Sequence, residues 1–272
     1  MFLDSVVFVT GAGSGIGRQL ALGAARQGAV VWVTDIDGGA ARAVAHQCRE
    51  LGGRARDRVL DVTDAPEVEQ AIADAVAADG RIDFCFNNAG IGFVGEFRDS
   101  SIEQWRRLME VNLFGVIHVA HAAFRQMAAQ GSGHLVNTAS LAGLIPTPGL
   151  SAYGASKWAV VSLTHSLRLE GQGLGVKVSA ICPGFIESNI YDRTLIAGLK
   201  RDAMRRMAPF PIVPVEGLIL RVFEGIARNE ALIVYPFYAR ALWWVWRLIP
   251  WAARPTGLAQ VNKIRREYRI VQ

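Results

Sequence analysis

The stretch Thr10-Gly11-Ala12-Gly13-Ser14-Gly15-Ile16-Gly17 joins an apolar run to a segment with helical periodicity. Glycine lets a backbone turn tightly and approach a ligand closely, because it has no Cβ. The N–H groups and the positive dipole end of the following helix suit the pyrophosphate of a dinucleotide. A glycine loop in the first βαβ unit is typical of such a site, whereas a glycine-rich loop in another context is usually an ordinary turn. The predicted dinucleotide-binding residues of the loop are Gly11, Ser14, Gly15, Ile16 and Gly17.

Short apolar runs alternate with helical patterns along most of the chain. The runs are continuous rather than alternating, as in strands that are covered on both faces. Right-handed crossovers then give an α/β fold, a Rossmann-type, doubly wound, seven-stranded parallel sheet in three α/β/α layers. The predicted strands are Ser5–Thr10, Ala29–Thr34, Arg56–Leu60, Ile82–Phe86, His134–Thr138, Val176–Ile181 and Ala231–Val234. The predicted helices are Gly15–Gln27, Gly39–Leu51, Ala65–Ala78, Ile102–Gln130, Ala152–Gly171 and Val215–Arg228.

Composition excludes several classes of protein. The 272 residues are 51% hydrophobic and 19% charged, unlike a disordered or fibrous chain. The net charge is +5, but the segment from Ala231 to Gln272 has seven basic residues and one acid, Glu267, and so carries +6. The remainder is nearly neutral, at −1, which argues against nucleic-acid binding.

The cysteines and histidines indicate neither disulfide bonds nor a metal site. Three widely spaced cysteines form no Cys-x-x-Cys motif, which argues against a disulfide framework or zinc ribbon and favours a reducing compartment. His118 and His121 lie three residues apart, but no third ligand has metal spacing, so we expect packing roles and no metal site. We recognise neither a secretory signal nor an apolar run long enough to span a bilayer, and we expect a cytoplasmic location.

Asp35 ends the second predicted strand, 18 residues beyond Gly17. An acid at this position accepts hydrogen bonds from the adenosine ribose hydroxyls and repels a 2′-phosphate. The neighbouring Ser14 and Ile36 offer no positive charge to such a phosphate. The pattern therefore predicts NAD in preference to NADP. Arg18, just after the loop, leaves NADP open unless it is simply a solvated residue of the first helical turn.

Further motifs follow the glycine loop in order. They are Asp61-Val62, Asn87-Asn88-Ala89-Gly90, Asn112, Ser140, Tyr153-Gly154-Ala155-Ser156-Lys157 and Pro183-Gly184. Each motif alone is weak, but all of them stand at the appropriate place in the strand–helix series. From Val6 to about Val234, the chain resembles the classical short-chain dehydrogenases/reductases. The resemblance implies an NAD(P)-binding Rossmann fold and an oxidoreductase that acts on CH-OH donors.

Tyr153 and Lys157 lie four residues apart on a predicted helix, so their side chains share a face. A free tyrosine has a pKa of about 10, and a nearby ammonium favours its phenolate. Lys157, helped by a positive cofactor ring, would lower the Tyr153 pKa to about 7, which takes roughly 4 kcal/mol. Tyr153 then exchanges a proton with a substrate oxygen. Ser140 follows the fifth strand at the ligand-binding edge of the sheet, where its hydroxyl can hold the same oxygen.

The resemblance implies further roles around the cofactor. Lys157 would also hold the nicotinamide ribose, and Asn112 would support a water-linked proton relay. Asn88 would stabilise the sheet, and Ser188 stands where the family often has threonine. The implied contacts are Asp61 and Val62 at the adenine, Asn87, Ala89 and Gly90 beside the adenosine, with Asn88 also counted as cofactor-binding, and Pro183, Gly184, Ile186 and Ser188 at the nicotinamide.

An apolar wall is predicted on the substrate side. The segment Leu141–Leu150 follows Ser140 and contains no charged residue. Such a wall beside a polar reacting centre favours a lipophilic alcohol or ketone, such as a sterol, a retinoid or a long-chain compound. The alternative is that these loops only pack on each other. The predicted substrate residues are Ala142, Leu150, Phe93, Phe185, Ile190 and Tyr191.

The segment Phe237–Trp251 contains four of the seven tryptophans. Arg240, Arg247 and Arg254 recur every seven residues and form one stripe on a helix that Pro250 kinks or ends, with Leu242, Val245 and Ile249 opposite. A tryptophan side chain is too large and apolar for four of them to stay in water, so they pack against the cleft, a second subunit or a bilayer. The last option predicts peripheral membrane contact through residues 237–254. We therefore divide the chain into a Rossmann-fold catalytic domain, 1–235, with both the cofactor and substrate sites, and a C-terminal extension, 236–272.

The sequence thus predicts an NAD(H)-dependent oxidoreductase that transfers hydride between nicotinamide and a lipophilic secondary alcohol or ketone, with Tyr153 as general acid/base. The resemblance implies a homodimer or homotetramer, paired through the helices Ile102–Gln130 and Ala152–Gly171. Two alternatives remain. One is an NADP-linked, membrane-docked reductase, and the other is a non-catalytic nucleotide-binding sensor or scaffold.

Overall fold

The main sheet has seven parallel strands. The computed structural model describes residues 1–191 and 193–270, apart from the side chains of Met204, Ala253 and Arg254. The strands are β1 (Val6–Thr10), β2 (Val30–Asp35), β3 (Arg54–Val59), β4 (Phe84–Asn87), β6 (Gly133–Thr138), β7 (Val176–Pro183) and β9 (Leu232–Tyr235), and β5 (Phe93–Gly95) and β8 (Leu195–Ala197) form a separate pair. The main sheet has the order β3-β2-β1-β4-β6-β7-β9, and each of its seven strands begins and ends within two residues of its prediction, whereas β5 and β8 were not predicted. The predicted doubly wound fold is confirmed.

Helices cover both faces of this sheet. They are α1 (Gly15–Ala25), α2 (Gly38–Glu50), α3 (Ala65–Asp79), α4 (Ile102–Met109), α5 (Gly115–Ala129), α6 (Ser151–Glu170), α7 (Ala203–Arg206), α8 (Val215–Ala227), α9 (Phe237–Leu248) and α10 (Arg254–Lys263). Successive side chains of β1 enter opposite cores, because strand residues alternate between faces. Val7 packs with α1, α2 and α8 on one side, while Phe8 packs with α3 and α5 on the other. The three layers are therefore observed.

Two predictions about these elements are wrong. The strand β3 is not covered on both faces: it is an edge strand, and its sequence RARDRV is mostly exposed. The predicted continuous helix Ile102–Gln130 is interrupted by a π-helical turn, Glu110–Phe114, between α4 and α5. The buried Asn112 lies in this wider turn and bonds to a neighbouring loop, which is a tertiary contact that helical periodicity does not report.

The C-terminal extension packs onto the rest of the protein. Tyr238, Leu242 and Trp243 lie against an apolar cluster that also contains residues of β7 and α6. Further along, Ile264 and Tyr268 are buried in a cluster with Val94. None of the described helices is long and apolar enough to cross a membrane.

The orientation of α9 agrees with only part of the prediction. Leu242 faces inward, opposite the exposed Arg240 and Arg247, as expected. Val245 and Ile249 are exposed rather than buried on that inner side. The helix ends at Leu248, just before Pro250, as predicted, while the side chain of Arg254 lies outside the described part of the chain.

Candidate active site

The glycine loop holds the backbone in conformations that other residues rarely adopt. Gly11 and Gly15 have φ angles of +61° and +53°, in the left-handed region. A Cβ on Gly11 would lie 2.8 Å from the Cα of Ala89, and a Cβ on Gly15 would lie 3.3 Å from the Cβ of Ser188. Ser14 precedes α1 but makes no capping bond with its side chain. The loop therefore leaves the N-terminus of α1 open towards the space in front of it.

Asp35 is a buried carboxylate that holds this loop. One oxygen accepts the main-chain N–H of Gly13 at 2.8 Å, and the other accepts the N–H of Asp37 at 3.0 Å. Each carboxylate oxygen has a further lone pair, so these bonds leave capacity for a ligand hydroxyl. Arg18 is directed elsewhere, because its guanidinium donates two hydrogen bonds to Gln47 Oε1 on α2, at 3.2 and 3.0 Å.

Asn88 ties together three strand ends. Its side-chain amide donates to the carbonyls of Thr10 and Gly11, at 3.1 and 3.3 Å. Its Oδ1 accepts the hydroxyl of Thr138 at 3.2 Å. The carboxyl ends of β1, β4 and β6 are thus fixed at one edge of the sheet, which is where ligands bind in open α/β sheets.

Ser140, Tyr153 and Lys157 meet at this edge. Ser140 follows β6, and its Oγ accepts the N–H of Ala142 at 3.1 Å and faces the phenol of Tyr153 closely enough to affect its pKa. Tyr153 lies near the start of α6, and Lys157 follows one turn later, with Nζ 5.7 Å from the centre of the Tyr153 ring. Nζ also donates to the carbonyl of Thr138 at 2.8 Å. Helical spacing and two strand ends therefore place a phenol, a hydroxyl and an amine together.

Burial dominates the ionisation of this cluster. It raises the pKa of Tyr153 to about 12, and the neighbouring Ser140 hydroxyl only partly opposes this rise. It also lowers the pKa of Lys157 to about 8. In the chain alone the phenol is therefore neutral at pH 7 and the amine is mostly protonated. The lowering of the Tyr153 pKa predicted from Lys157 and a cofactor ring is not present without the cofactor.

Asn112 is fully buried, and both ends of its amide bind one residue. Its Oδ1 accepts the N–H of Ile91 at 2.8 Å, and its Nδ2 donates to the carbonyl of Ile91 at 2.9 Å. A Cβ on Gly90 would lie 3.2 Å from Asn112 Oδ1 and 3.6 Å from Lys157 Nζ. Asn112 therefore fixes the loop that passes beside Lys157.

A cleft of about 620 Å³ runs along this edge from Asp35 and Asp61 to Tyr153. All of the predicted site residues line it except Gly17, Asn87, Phe93 and Asn112, and Asn87 is instead buried with its amide bonded to Val116 and Asn137. Gly17 lies behind the loop, where a Cβ would overlap the carbonyl of Gly11. Phe93 is fully buried in a cluster beneath the cleft that also includes Tyr153.

The later part of the chain supplies one wall of the cleft, which the sequence left open as one of three partners for the C-terminal extension. Leu242 of α9 lines the cleft from inside the C-terminal extension. The hydroxyl of Tyr238 accepts a hydrogen bond from the N–H of Phe185 in the cleft wall. No local motif signals these contacts, since they depend on how the extension folds back. The other lining residues from the later part of the chain are Arg193, Met207, Pro209, Phe210, Thr256, Gly257 and Gln260.

The cleft residues fit a dinucleotide. The glycine loop offers close backbone approach and a helix N-terminus, which suit a pyrophosphate. The carboxylate of Asp35 suits a ribose, and Val62 and Leu60 give an apolar place for a base. At the other end lie the phenol of Tyr153 and the amine of Lys157.

Comparison with known proteins agrees with this geometry. The sequence model of the short-chain dehydrogenases matches residues 5–195. This chain belongs to the short-chain dehydrogenase family. Among curated relatives, this short-chain dehydrogenase is 36% identical over 272 residues to "Probable oxidoreductase EphD" of Mycobacterium tuberculosis. That match covers 96% of the chain but 46% of the relative, so the chain spans about half the length of that protein.

Other relatives are similar over most of their length. Cyclohexanol dehydrogenase of an Acinetobacter species is 38% identical over 234 residues, which cover 86% of this short-chain dehydrogenase and 91% of the relative. The crystal structure of a short-chain dehydrogenase/reductase from Burkholderia phymatum in complex with NAD has a TM-score of 0.80 at 29% identity, covering 97% of this chain and 95% of that one. NAD⁺-bound xylitol dehydrogenase has a TM-score of 0.67 at 37% identity, over 68% and 72% of the two chains.

Proposed function

We propose that this chain is an NAD(H)-dependent oxidoreductase that transfers hydride between nicotinamide and a lipophilic secondary alcohol or ketone. The observation that carries the proposal is the meeting of Ser140, Tyr153 and Lys157 in a cleft that begins at a dinucleotide-type glycine loop. The relatives named for dehydrogenase activity and the NAD-bound structural neighbours support it.

Each part of the dinucleotide has its own residues in the cleft. Main-chain N–H groups at Ser14, Gly15 and Ile16 hold the pyrophosphate, because the N-terminus of α1 opens there. Asp35 accepts hydrogen bonds from the adenosine ribose. Lys157 holds the nicotinamide ribose. The remaining contacts are Asp61 and Val62 at the adenine, Ala89 and Gly90 along the adenosine, and Pro183, Gly184, Ile186 and Ser188 at the nicotinamide.

Proton transfer is the task of Tyr153. When bound, the cofactor supplies or accepts the hydride. For reduction, the neutral phenol of Tyr153 gives its proton to the carbonyl oxygen, which suits a group whose pKa is held high. For oxidation, the phenolate takes the hydroxyl proton, and the ammonium of Lys157 favours this anion. Ser140 donates a hydrogen bond to the same substrate oxygen and so orients it. Asn112 positions the loop at Ile91 and, in the relay that we propose, a water beside Lys157.

The preference for NAD over NADP follows from charge. A 2′-phosphate would lie near the carboxylate of Asp35, which repels it. Arg18 is already bound to Gln47 and is directed away from that place. The alternative of an NADP-linked reductase would need this arginine to turn.

The substrate side of the cleft favours a lipophilic molecule. Apolar residues surround the end that contains Tyr153, and the walls are mostly carbon. A bulky apolar alcohol or ketone would exchange water for these walls at about 25 cal/mol per Å² buried. Phe93 contributes from below by supporting Tyr153 rather than by direct contact. The lining residues that we assign to substrate are Ala142, Leu150, Phe185, Ile190 and Tyr191.

The proposal extends to assembly and location. We place the chain in the cytoplasm as a homodimer or homotetramer, paired through α4, α5 and α6. Residues 237–254 make peripheral membrane contact. Their exposed tryptophans and arginines support this contact.

Replacing Tyr153 with phenylalanine tests the function. Tyr153→Phe keeps the ring that packs with Phe93 and removes only the hydroxyl that moves the proton. We expect NADH binding, followed by fluorescence titration, to stay within about twofold, and turnover to fall by about 10²–10⁴-fold. Substantial retained turnover would contradict the role of Tyr153. If the parent protein binds NADH but turns over no member of a broad alcohol and ketone panel, the non-catalytic sensor is favoured instead.

A further inference from the structure

One side of α9 is exposed and apolar. We define the α9 outer face as Phe237, Arg240, Trp244, Val245, Arg247 and Leu248. Phe237 is 84% exposed and Leu248 is 70% exposed, and Trp244 is nearly half exposed. Just beyond the helix, Trp251 is 77% exposed. Exposed apolar residues grouped in this way mark an interaction surface rather than ordinary surface variation.

The two arginines lie along one edge of this face. Arg240 and Arg247 are seven residues apart, so they lie on nearly the same side of the helix, beside Trp244. Both are exposed. From position 231 to position 266 the sequence contains no acidic residue and six basic ones. The surface therefore combines large apolar side chains with unbalanced positive charge.

This charge pattern decides between a lipid surface and a second copy of the chain. In a symmetric dimer the same patch meets itself, so the arginines of the two copies would approach each other with no acid from this segment between them. An anionic bilayer instead offers phosphates to the arginines and an interfacial layer to the tryptophans. The surface complements a lipid surface better than it complements itself.

The inner side of the same segment belongs to the cleft. Leu242 lines the cleft from α9. After the 3₁₀ turn Pro250–Ala253, α10 adds Thr256 and Gln260 to the cleft wall. One short segment of chain therefore has an exposed apolar face and a face that borders the substrate site.

We infer that the α9 outer face docks on an anionic lipid surface, and that the docked protein takes its lipophilic substrate from that surface into the cleft beside Leu242 and Thr256. The docking narrows the membrane contact proposed above to one face of α9 and to anionic lipid, and the uptake of substrate rests on the proposed oxidoreductase function. The exposed apolar side chains enter the interface, and the arginines bind the anionic headgroups.

Sedimentation with lipid vesicles tests the docking. The full chain is expected to bind vesicles of phosphatidylcholine mixed with an equal amount of phosphatidylglycerol, and to bind phosphatidylcholine alone much less. Arg240→Gln and Arg247→Gln should each lower the partition coefficient by about fivefold, and added salt should weaken binding. Leu248→Ser and Trp251→Ser should lower it as well. All four side chains are exposed, so folding is expected to be unaffected.

Matched controls use equally exposed residues on other helices. Leu220→Ser on α8 and Arg42→Gln on α2 should leave vesicle binding unchanged. Equal binding of the parent and of the outer-face variants would overturn the docking, as would no binding of the parent to the anionic vesicles. If Leu248→Ser lowers the molecular mass in light scattering without lipid, the face joins two copies of the chain, and the docking inference is wrong.

Turnover separates substrate uptake from the proposed function. A long-chain secondary alcohol dissolved in the vesicles is compared with a short water-soluble one. Leu248→Ser is expected to lose most turnover of the vesicle-held alcohol and to keep that of the soluble one. Equal turnover of the vesicle-held alcohol by variant and parent would overturn uptake from lipid. If the parent oxidises neither alcohol, the proposed function fails, while the vesicle-binding result stands by itself.

Discussion

The hydroxyl of Tyr238 accepts a hydrogen bond from the main-chain N–H of Phe185 at 2.8 Å. The ring of Tyr238 also stacks on Phe210, with centroids 4.6 Å apart. Phe185 follows Pro183 and Gly184 at the end of β7, where we propose that the nicotinamide binds. A residue at the start of the C-terminal extension thus fixes the wall of the cofactor site, although 53 positions separate it from that wall.

We expect Tyr238→Phe to weaken cofactor binding more than it affects the chemical step. Phenylalanine keeps the stacking on Phe210 but offers no acceptor to Phe185, and loss of such a bond costs about 1 kcal/mol. The KM for NAD should rise about fivefold with kcat within about twofold, as measured by steady-state kinetics. The control is Tyr235→Phe, whose hydroxyl lies against Gly217 on α8, outside the cleft. An unchanged KM for Tyr238→Phe would show that the wall is fixed by packing alone.

Asp35→Ala tests the proposed cofactor preference. The change removes an acceptor for the ribose, the repulsion of a 2′-phosphate and the bond that holds Gly13. Hydrogen bonds to a charged group contribute about 1.5–3 kcal/mol, so NAD affinity should fall about 10–100-fold, while NADP affinity falls less or rises. Calorimetric titration with each cofactor gives the ratio of NAD to NADP affinity in the parent and in the variant.

Asp37 provides the control for this measurement. It caps α2 by accepting the N–H of Ala40, two residues from Asp35. Asp37→Ala should lower the free energy of unfolding by about 1 kcal/mol and leave the ratio of NAD to NADP affinity unchanged. A parent protein that already binds NADP as tightly as NAD would favour the NADP-linked alternative.

Local spacing explains what the sequence could predict. The glycine loop and the Tyr153–Lys157 pair are set by backbone geometry over a few residues, and both lie where the spacing placed them. The position of β3 was predicted, but its exposure was not. A strand lies at the edge of a sheet because of how the strands pair, and the local sequence does not show that pairing. The bond between Tyr238 and Phe185, and the burial that raises the pKa of Tyr153, arise from tertiary packing, which no local pattern records.

Asn112→Leu should destabilise the fold. Leucine has a similar volume but cannot bond to the N–H and carbonyl of Ile91. Because position 112 is fully buried, these two groups then lose their partner. Two such groups cost about 2–4 kcal/mol of the free energy of unfolding, which urea denaturation measures. The exposed Gln70→Leu on α3 is the comparison, with an expected change within about 0.5 kcal/mol. Parent-like stability of Asn112→Leu would mean that water replaces the amide.

Lys157→Met should remove activity and yet stabilise the fold at neutral pH. Burial lowers the Lys157 pKa from 10.5 to about 8, so the folded state holds the charged amine at a disadvantage of about 3 kcal/mol. Methionine has no charge to bury, but it leaves the carbonyl of Thr138 without a donor, which costs about 1 kcal/mol. The net expectation at pH 7 is a gain of about 2 kcal/mol in the free energy of unfolding.

The sign of the pH dependence makes this prediction specific to Lys157. Below pH 8 both states of the parent are protonated and the full disadvantage is present. Between about pH 8 and 10.5 the folded state loses its proton before the unfolded state does, so this contribution to the stability of the parent rises with pH. The advantage of Lys157→Met over the parent should therefore shrink across that window in urea unfolding. The exposed Lys177→Met should show no such trend, and an advantage that is absent at pH 7 or constant with pH would refute a buried ammonium at position 157.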